Sequence, residues 1–147
     1  MRRGSSDAGT TAGIGVGVAV TSAGGAVGAF ARWSLTDLFP AAADHFPWVT
    51  FAVNVVGSGL LAALPLLAVA RSRPWLALLL GTGVLGGFTT MSAASVETFV
   101  LLDRGATGTG LSYCLGTLSA SLLAVLLVDR LTTEEQRQDF ELAEGDE

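Results

Sequence analysis

Hydrophobic residues in this chain fall into four long blocks separated by short polar punctuation. No Asp, Glu, Lys or Arg occurs within residues 8–31, 45–70, 74–96 or 105–128. Each block reaches the roughly 20 residues that a helix needs to cross a bilayer core. The pattern predicts an all-α integral membrane domain over residues 11–129, with four transmembrane helices at about 11–32, 48–70, 75–102 and 106–128. Residues 1–10 are small and polar and are expected as a disordered tail. Residues 130–147 are expected as an acidic, soluble tail. Thr132 and Glu135 there have the spacing of a helix-capping box, although the tail is expected mainly to solvate the end.

Inside the blocks the pattern is uneven. Gly13, Gly17, Gly24 and Gly28 give the first span two small-xxx-small pairs, which let helix backbones approach closely in lipid. Pro65 is expected to kink the later half of the second span. Trp33, Trp48 and Trp75 stand at span ends, where amphipathic rings settle among headgroups. The third span is least suited to an unbroken helix. Gly86-Gly87 weakens it, and Thr89-Thr90 offers hydroxyls to the backbone. A break is expected near Gly86–Thr90. At bilayer depth unwound backbone persists only where protein or a water-filled cavity satisfies it, and its freed carbonyls make a candidate cation site.

Composition supports a membrane protein. The chain is 50% hydrophobic and 14% charged, with mean hydropathy +0.57; a soluble domain carries about 25% charged residues. Net charge is −5, but seven of the thirteen acids follow Leu131, so the acidity describes a tail. No basic stripe suits nucleic acid. One cysteine and one histidine are too few for a zinc site. No nucleophile–base pair or cofactor motif marks an enzyme. With four spans, Arg2, Arg3, Arg71, Arg73, Arg130 and Arg137 share one side and Arg32 and Arg104 the other. That bias predicts both termini in the cytoplasm.

Polar residues within the spans are the candidate chemistry. Thr50, Asn54 and Ser58 recur at i, i+4 and i+8, as do Tyr113, Thr117 and Ser121, so each trio lies on one helix face. Interhelical hydrogen bonding alone accounts for such trios about as well as function does. Asn54 stands apart, because its amide can donate two hydrogen bonds to an anion. Glu97 reads equally as a functional membrane carboxylate or as one reaching an interface. Arg32 reads as a snorkelling residue or as an attractor of anions.

Three segments then resemble one family. Gly24-Gly25-Ala26-Val27-Gly28-Ala29-Phe30-Ala31-Arg32-Trp33 is similar to the opening motif of the Fluc (CrcB) fluoride channels. Thr50-Phe51-Ala52-Val53-Asn54-Val55-Val56-Gly57-Ser58 resembles their second-helix motif. Gly86-Gly87-Phe88-Thr89-Thr90-Met91-Ser92, followed by Glu97, resembles their third-helix signature. The resemblance implies a four-helix subunit with a broken third helix, paired with an inverted second subunit. It implies a structural, untransported sodium ion held by the carbonyls of Gly86 and Thr89. It implies passive fluoride export across the plasma membrane along Arg32, Thr50, Asn54, Ser58, Met91, Ser92, Tyr113, Thr117 and Ser121, with Glu97 at a pore mouth or structural. Fluoride is costly to dehydrate, so a lining of convergent, uncharged donors is a reasonable substitute for water.

One departure stands out. The family usually carries Phe where this chain has Met91 and Ala94. Together with the arginine bias, this leads to the expectation of a related but different partner chain that supplies the rings. The alternatives are a non-conducting partner subunit and a cation-coupled secondary transporter.

Overall fold

The computed structural model describes residues 4–42 and 44–145, with side chains outside the description at 4–14, 135, 140 and 143–145. Its elements are all helical. They are α1 (Gly4–Leu38), α2 (Trp48–Ala63), a 3₁₀ turn (Leu64–Leu66), α3 (Ala68–Arg71), α4 (Pro74–Leu78), a π-helical stretch (Leu79–Leu85), α5 (Gly86–Phe88), α6 (Met91–Asp103), α7 (Thr107–Asp129) and α8 (Glu134–Gly145). Among the described residues, Trp48–Leu66, Pro74–Asp103 and Thr107–Asp129 are long and apolar enough to cross a membrane. The protein is therefore a multi-pass membrane protein. Many large apolar side chains, including Phe30, Val56, Phe99, Leu115 and Leu127, face outward, as a lipid or partner environment requires.

Several sequence expectations change. Residues 4–10, expected as a disordered tail, are helical backbone continuous with α1; residues 1–3 lie outside the described structure. Pro65 ends the second span instead of kinking it. Lacking an N–H and crowding the preceding turn, it closes α2 in a 3₁₀ turn, and Leu67 is extended at φ −85, ψ 106. The Pro65 carbonyl accepts from the Arg71 guanidinium at 2.5 Å. Pro74 occupies the first turn of α4, where its fixed φ suits a helix start. Gly105, at φ +79, closes α6. Ala106 N–H donates to Leu101 at 2.9 Å and Gly105 N–H to Leu102 at 3.0 Å, which is a Schellman closure.

The C-terminal tail does more than solvate an end. Its helix is capped by Thr133 and Gln136, one residue beyond the expected pair. Thr133 N–H donates to Gln136 Oε1 at 3.1 Å, and Gln136 N–H to Thr133 Oγ1 at 3.3 Å. The register shifts because α7 runs to Asp129 and its closing turn takes up Thr132, whose N–H donates to Asp129. α8 folds back against α3, α4 and the 3₁₀ turn. Arg71 meets Asp139 at 3.7 Å, and Arg137 pairs with Asp129. The Asp139 side chain is 57% exposed, so its pair should contribute at most about 1 kcal/mol. Asp139→Asn is accordingly expected to lower the melting temperature slightly in dilute buffer. In about 1 M salt, where the screening length is near 3 Å, the difference should vanish. A difference that persists in high salt would locate the effect in packing.

Glycine sets how the part of the third span before the break meets α1. A Cβ at Gly24 would lie 2.6 Å from the Leu79 carbonyl oxygen, and one at Gly83 would lie 3.1 Å from Gly24 Cα. A Cβ at Gly28 would collide with the Val84 carbonyl, and one at Gly87 would lie 2.9 Å from Gly25 Cα. α2 and α6 pack on α7. The small buried cluster of Ala94, Leu101 and Tyr113 is covered by Phe46, Phe51 and Ala106.

Candidate ion pathway at the break in the third span

The third span does break, but the break is narrower than expected. Gly86–Phe88 stay helical as α5. Only Thr89 (φ −73, ψ 153) and Thr90 (φ −153, ψ 115) are extended. Gly87 serves close packing on α1, and side-chain hydrogen bonds hold the threonines open. Asn54 of α2, 7% exposed, grips Thr90 at two points. Its Nδ2 donates to the Thr90 carbonyl at 3.0 Å, and its Oδ1 accepts from the Thr90 N–H at 2.7 Å. Thr90 Oγ1 accepts from the Ala93 N–H at 3.1 Å and so caps α6.

These bonds have a consequence for the carbonyls. In a continuous helix Gly86 C=O would receive the N–H of Thr90, and Thr89 C=O the N–H of Ala93. Both donors are directed to side chains instead. Gly86 and Thr89, the carbonyls that the family resemblance gives to a cation, therefore lack these helical donors, as do Gly87 and Phe88, whose donors Met91 and Ser92 lie beyond the extended pair. The Gly87 carbonyl, between them, receives Arg32 Nε at 3.4 Å.

A cavity of about 380 Å³ opens beside the break. Asn54 and Ser58 line it from α2, Gly86, Thr89, Thr90 and Met91 from the broken span, and Thr117, Leu118 and Ser121 from α7. Its polar groups differ in what they can offer. Thr117 Oγ1 donates to the Tyr113 carbonyl at 2.7 Å, so its proton is engaged. Asn54 uses one amide proton on Thr90 and keeps the other. The Ser121 hydroxyl is buried with no partner among the described residues. The wall is uncharged and presents a fixed amide donor from Asn54, next to Gly86 and Thr89 of the broken span. Across Met91, which is 62% exposed, lies an apolar groove of about 280 Å³. Ala94, Thr98, Phe99, Leu102 and Cys114 line it, and it shares Met91, Thr117 and Leu118 with the polar cavity.

The sequence trios therefore divide between two stations. Asn54, Ser58, Thr117 and Ser121 meet at the cavity. Thr50 and Tyr113, 1% and 0% exposed, turn to Glu97 instead. Thr50 Oγ1 donates to Oε1 at 2.8 Å and Tyr113 O–H to Oε2 at 2.5 Å. Phe46 packs edge-on against the Tyr113 ring at 5.2 Å. Glu97 also reaches a third cavity, of about 420 Å³, shared with Thr36, His45 and Arg104. Ser92 is exposed, 3.2 Å from the Thr90 hydroxyl. Arg32 is held at the Gly87 carbonyl and does not line the polar cavity. Thr90 was absent from the candidate side chains, although a threonine three residues ahead of a helical N–H is a recognisable capping signal.

Residues 19–128 match the family described as CrcB-like protein, Camphor Resistance (CrcB). The chain belongs to the CrcB family. Within CrcB it is similar to the fluoride-specific ion channel FluC 1 of Streptomyces coelicolor, with 42% identity over 113 residues, covering 75% of this chain and 73% of the relative. It is also similar to FluC of Novosphingobium aromaticivorans, with 43% identity over 113 residues, covering 74% and 90%. FluC of Agrobacterium fabrum is 40% identical over 117 residues, covering 75% and 90%. The CrcB match bears out the resemblance drawn from the three motifs, and these relatives are named as channels, not enzymes. It ends before α8, so the docked tail helix lies outside the matched CrcB segment.

Proposed function

We propose that this chain is a subunit of a fluoride-selective channel that lets fluoride leave the cytoplasm passively across the plasma membrane. The observation that carries this reading is the uncharged cavity at the break, where Asn54 is locked by Thr90 and the buried Ser121 hydroxyl has no partner among the described residues. The names of the 40–43% identical relatives support the choice of anion. In this reading α1 is the fourth crossing and both termini are cytoplasmic. A second subunit of opposite orientation faces the break.

A structural sodium ion at that meeting point fits the residues present. Gly86 and Thr89 supply hard carbonyl oxygens without their helical donors, and Gly86 is exposed. Such an ion supplies a fixed positive field in a medium of low dielectric. Arg32 orients the intervening Gly87 carbonyl. Asn54 and Ser121 then offer donors in place of water.

A second reading, a non-conducting partner in a heteromeric channel, is favoured by Met91 and the buried Ala94 beside the open apolar groove. One experiment addresses both. Liposomes loaded with fluoride or chloride and reconstituted with this chain alone are expected to release fluoride while retaining chloride, read with ion-selective electrodes. Failure alone, with release appearing only when this chain is co-reconstituted with a CrcB relative that is itself silent, would establish the partner-subunit reading. Equal release of both anions would sink fluoride selectivity.

A further inference from the structure

We infer that Asn54 and Thr90 are positioning residues for the cation site, acting by diverting the two backbone donors that would otherwise cover its carbonyls. The inference rests on the sodium reading above and deepens it. Buried N–H groups need an acceptor, so a break that exposes carbonyls to a metal stays open only where the donors it strands are taken up elsewhere. The Thr90 N–H has Asn54 Oδ1 at 2.7 Å, and the Ala93 N–H has Thr90 Oγ1 at 3.1 Å. Each side chain takes up one donor stranded by the break, Asn54 that of Thr90 and Thr90 that of Ala93, and so keeps it from closing back onto Gly86 or Thr89. The second contact of Asn54, from Nδ2 to the Thr90 carbonyl at 3.0 Å, holds the peptide in its extended orientation. The same amide faces the polar cavity. Asn54 therefore joins the two ion sites physically: opening the break for a cation and presenting an N–H to an anion depend on one side-chain orientation.

The test is thermal unfolding of the full-length purified chain against sodium chloride concentration, with N-methylglucamine chloride keeping ionic strength constant. The quantity read is the sodium concentration giving half of the stabilisation. Wild type is expected to be stabilised by sodium. Asn54→Leu and Thr90→Val, which remove the acceptors, should each raise the midpoint about tenfold or more, equivalent to about 1.4 kcal/mol. Thr90→Ser keeps the acceptor and should leave the midpoint near that of wild type. A merely structural role would lower the melting temperature at every sodium concentration and leave the midpoint in place, which overturns the inference. A wild-type protein indifferent to sodium would instead overturn the sodium reading itself, and this inference with it. If Asn54→Leu does not fold, the Thr90 pair decides the question.

Discussion

Gly28→Ala is expected to be among the most damaging single substitutions in this protein, although it adds one methyl group. The added Cβ would collide with the Val84 carbonyl and lie 2.8 Å from the Phe88 nitrogen. Both obstacles are backbone, so no rotamer change relieves the contact. Overpacking in a core costs about 1–3 kcal/mol and occasionally more. Here α1 would have to move away from the π-helical stretch and α5, so a loss above about 3 kcal/mol is expected. That is a large share of the 5–15 kcal/mol typical of a folded domain. Gly25→Ala is the control. Its Cβ would stand 4.0 Å from the Gly83 carbonyl oxygen, an ordinary contact, and alanine is intrinsically the better helix former. The measurement is the monodisperse fraction after detergent extraction, followed by thermal unfolding. Gly28→Ala protein that is monodisperse and melts within a few degrees of wild type would show that this contact does not hold α1.

The second large effect is expected at Glu97. Its carboxylate is the acceptor for two fully buried hydroxyls, Thr50 at 2.8 Å and Tyr113 at 2.5 Å. Leaving a buried donor unpaired costs about 1–3 kcal/mol, whereas removing both partners of a bond is nearly neutral. Glu97→Leu should therefore destabilise the protein by about 2–6 kcal/mol, the sum for two orphaned hydroxyls. The triple variant Glu97→Leu, Thr50→Val, Tyr113→Phe should recover most of that loss, because no donor is then stranded. Unfolding followed by tryptophan fluorescence distinguishes the two. If the triple variant is no more stable than Glu97→Leu alone, the carboxylate has a role beyond these two bonds. The expected rescue identifies Thr50 and Tyr113 as supports of Glu97, and places them a step away from the donors that line the polar cavity.

Much of the architecture is legible in one dimension because lipid enforces it. Charges are excluded from bilayer depth, so the gaps between them mark the spans and their turns. Gly105 and Pro74 stand where a helix closes and another starts, for reasons local to each residue. The polar positions of α2 and α7 share faces by simple periodicity. The difficulty lies where a residue's role depends on what approaches it. Glycine weakens a helix by about 1 kcal/mol wherever it stands, so Gly86-Gly87 reads as the weak point of the third span. With α1 pressed against it, the same pair stays helical and Gly87 becomes a contact surface.

The sequence by itself determined that this is a helical membrane protein of the CrcB type, with a third span that cannot run unbroken and with uncharged hydrogen-bonding groups at bilayer depth. Only the tertiary structure decided that the interruption falls at Thr89–Thr90, that Arg32 serves a carbonyl of the broken span, and that Thr50 and Tyr113 attend Glu97 while Asn54 and Ser121 face the cavity. The physical reason is the range of the interactions. Exclusion of charge and helical periodicity act within a segment. An opened helix needs an acceptor delivered from elsewhere in the chain, and Asn54 reaches Thr90 across 36 residues of sequence.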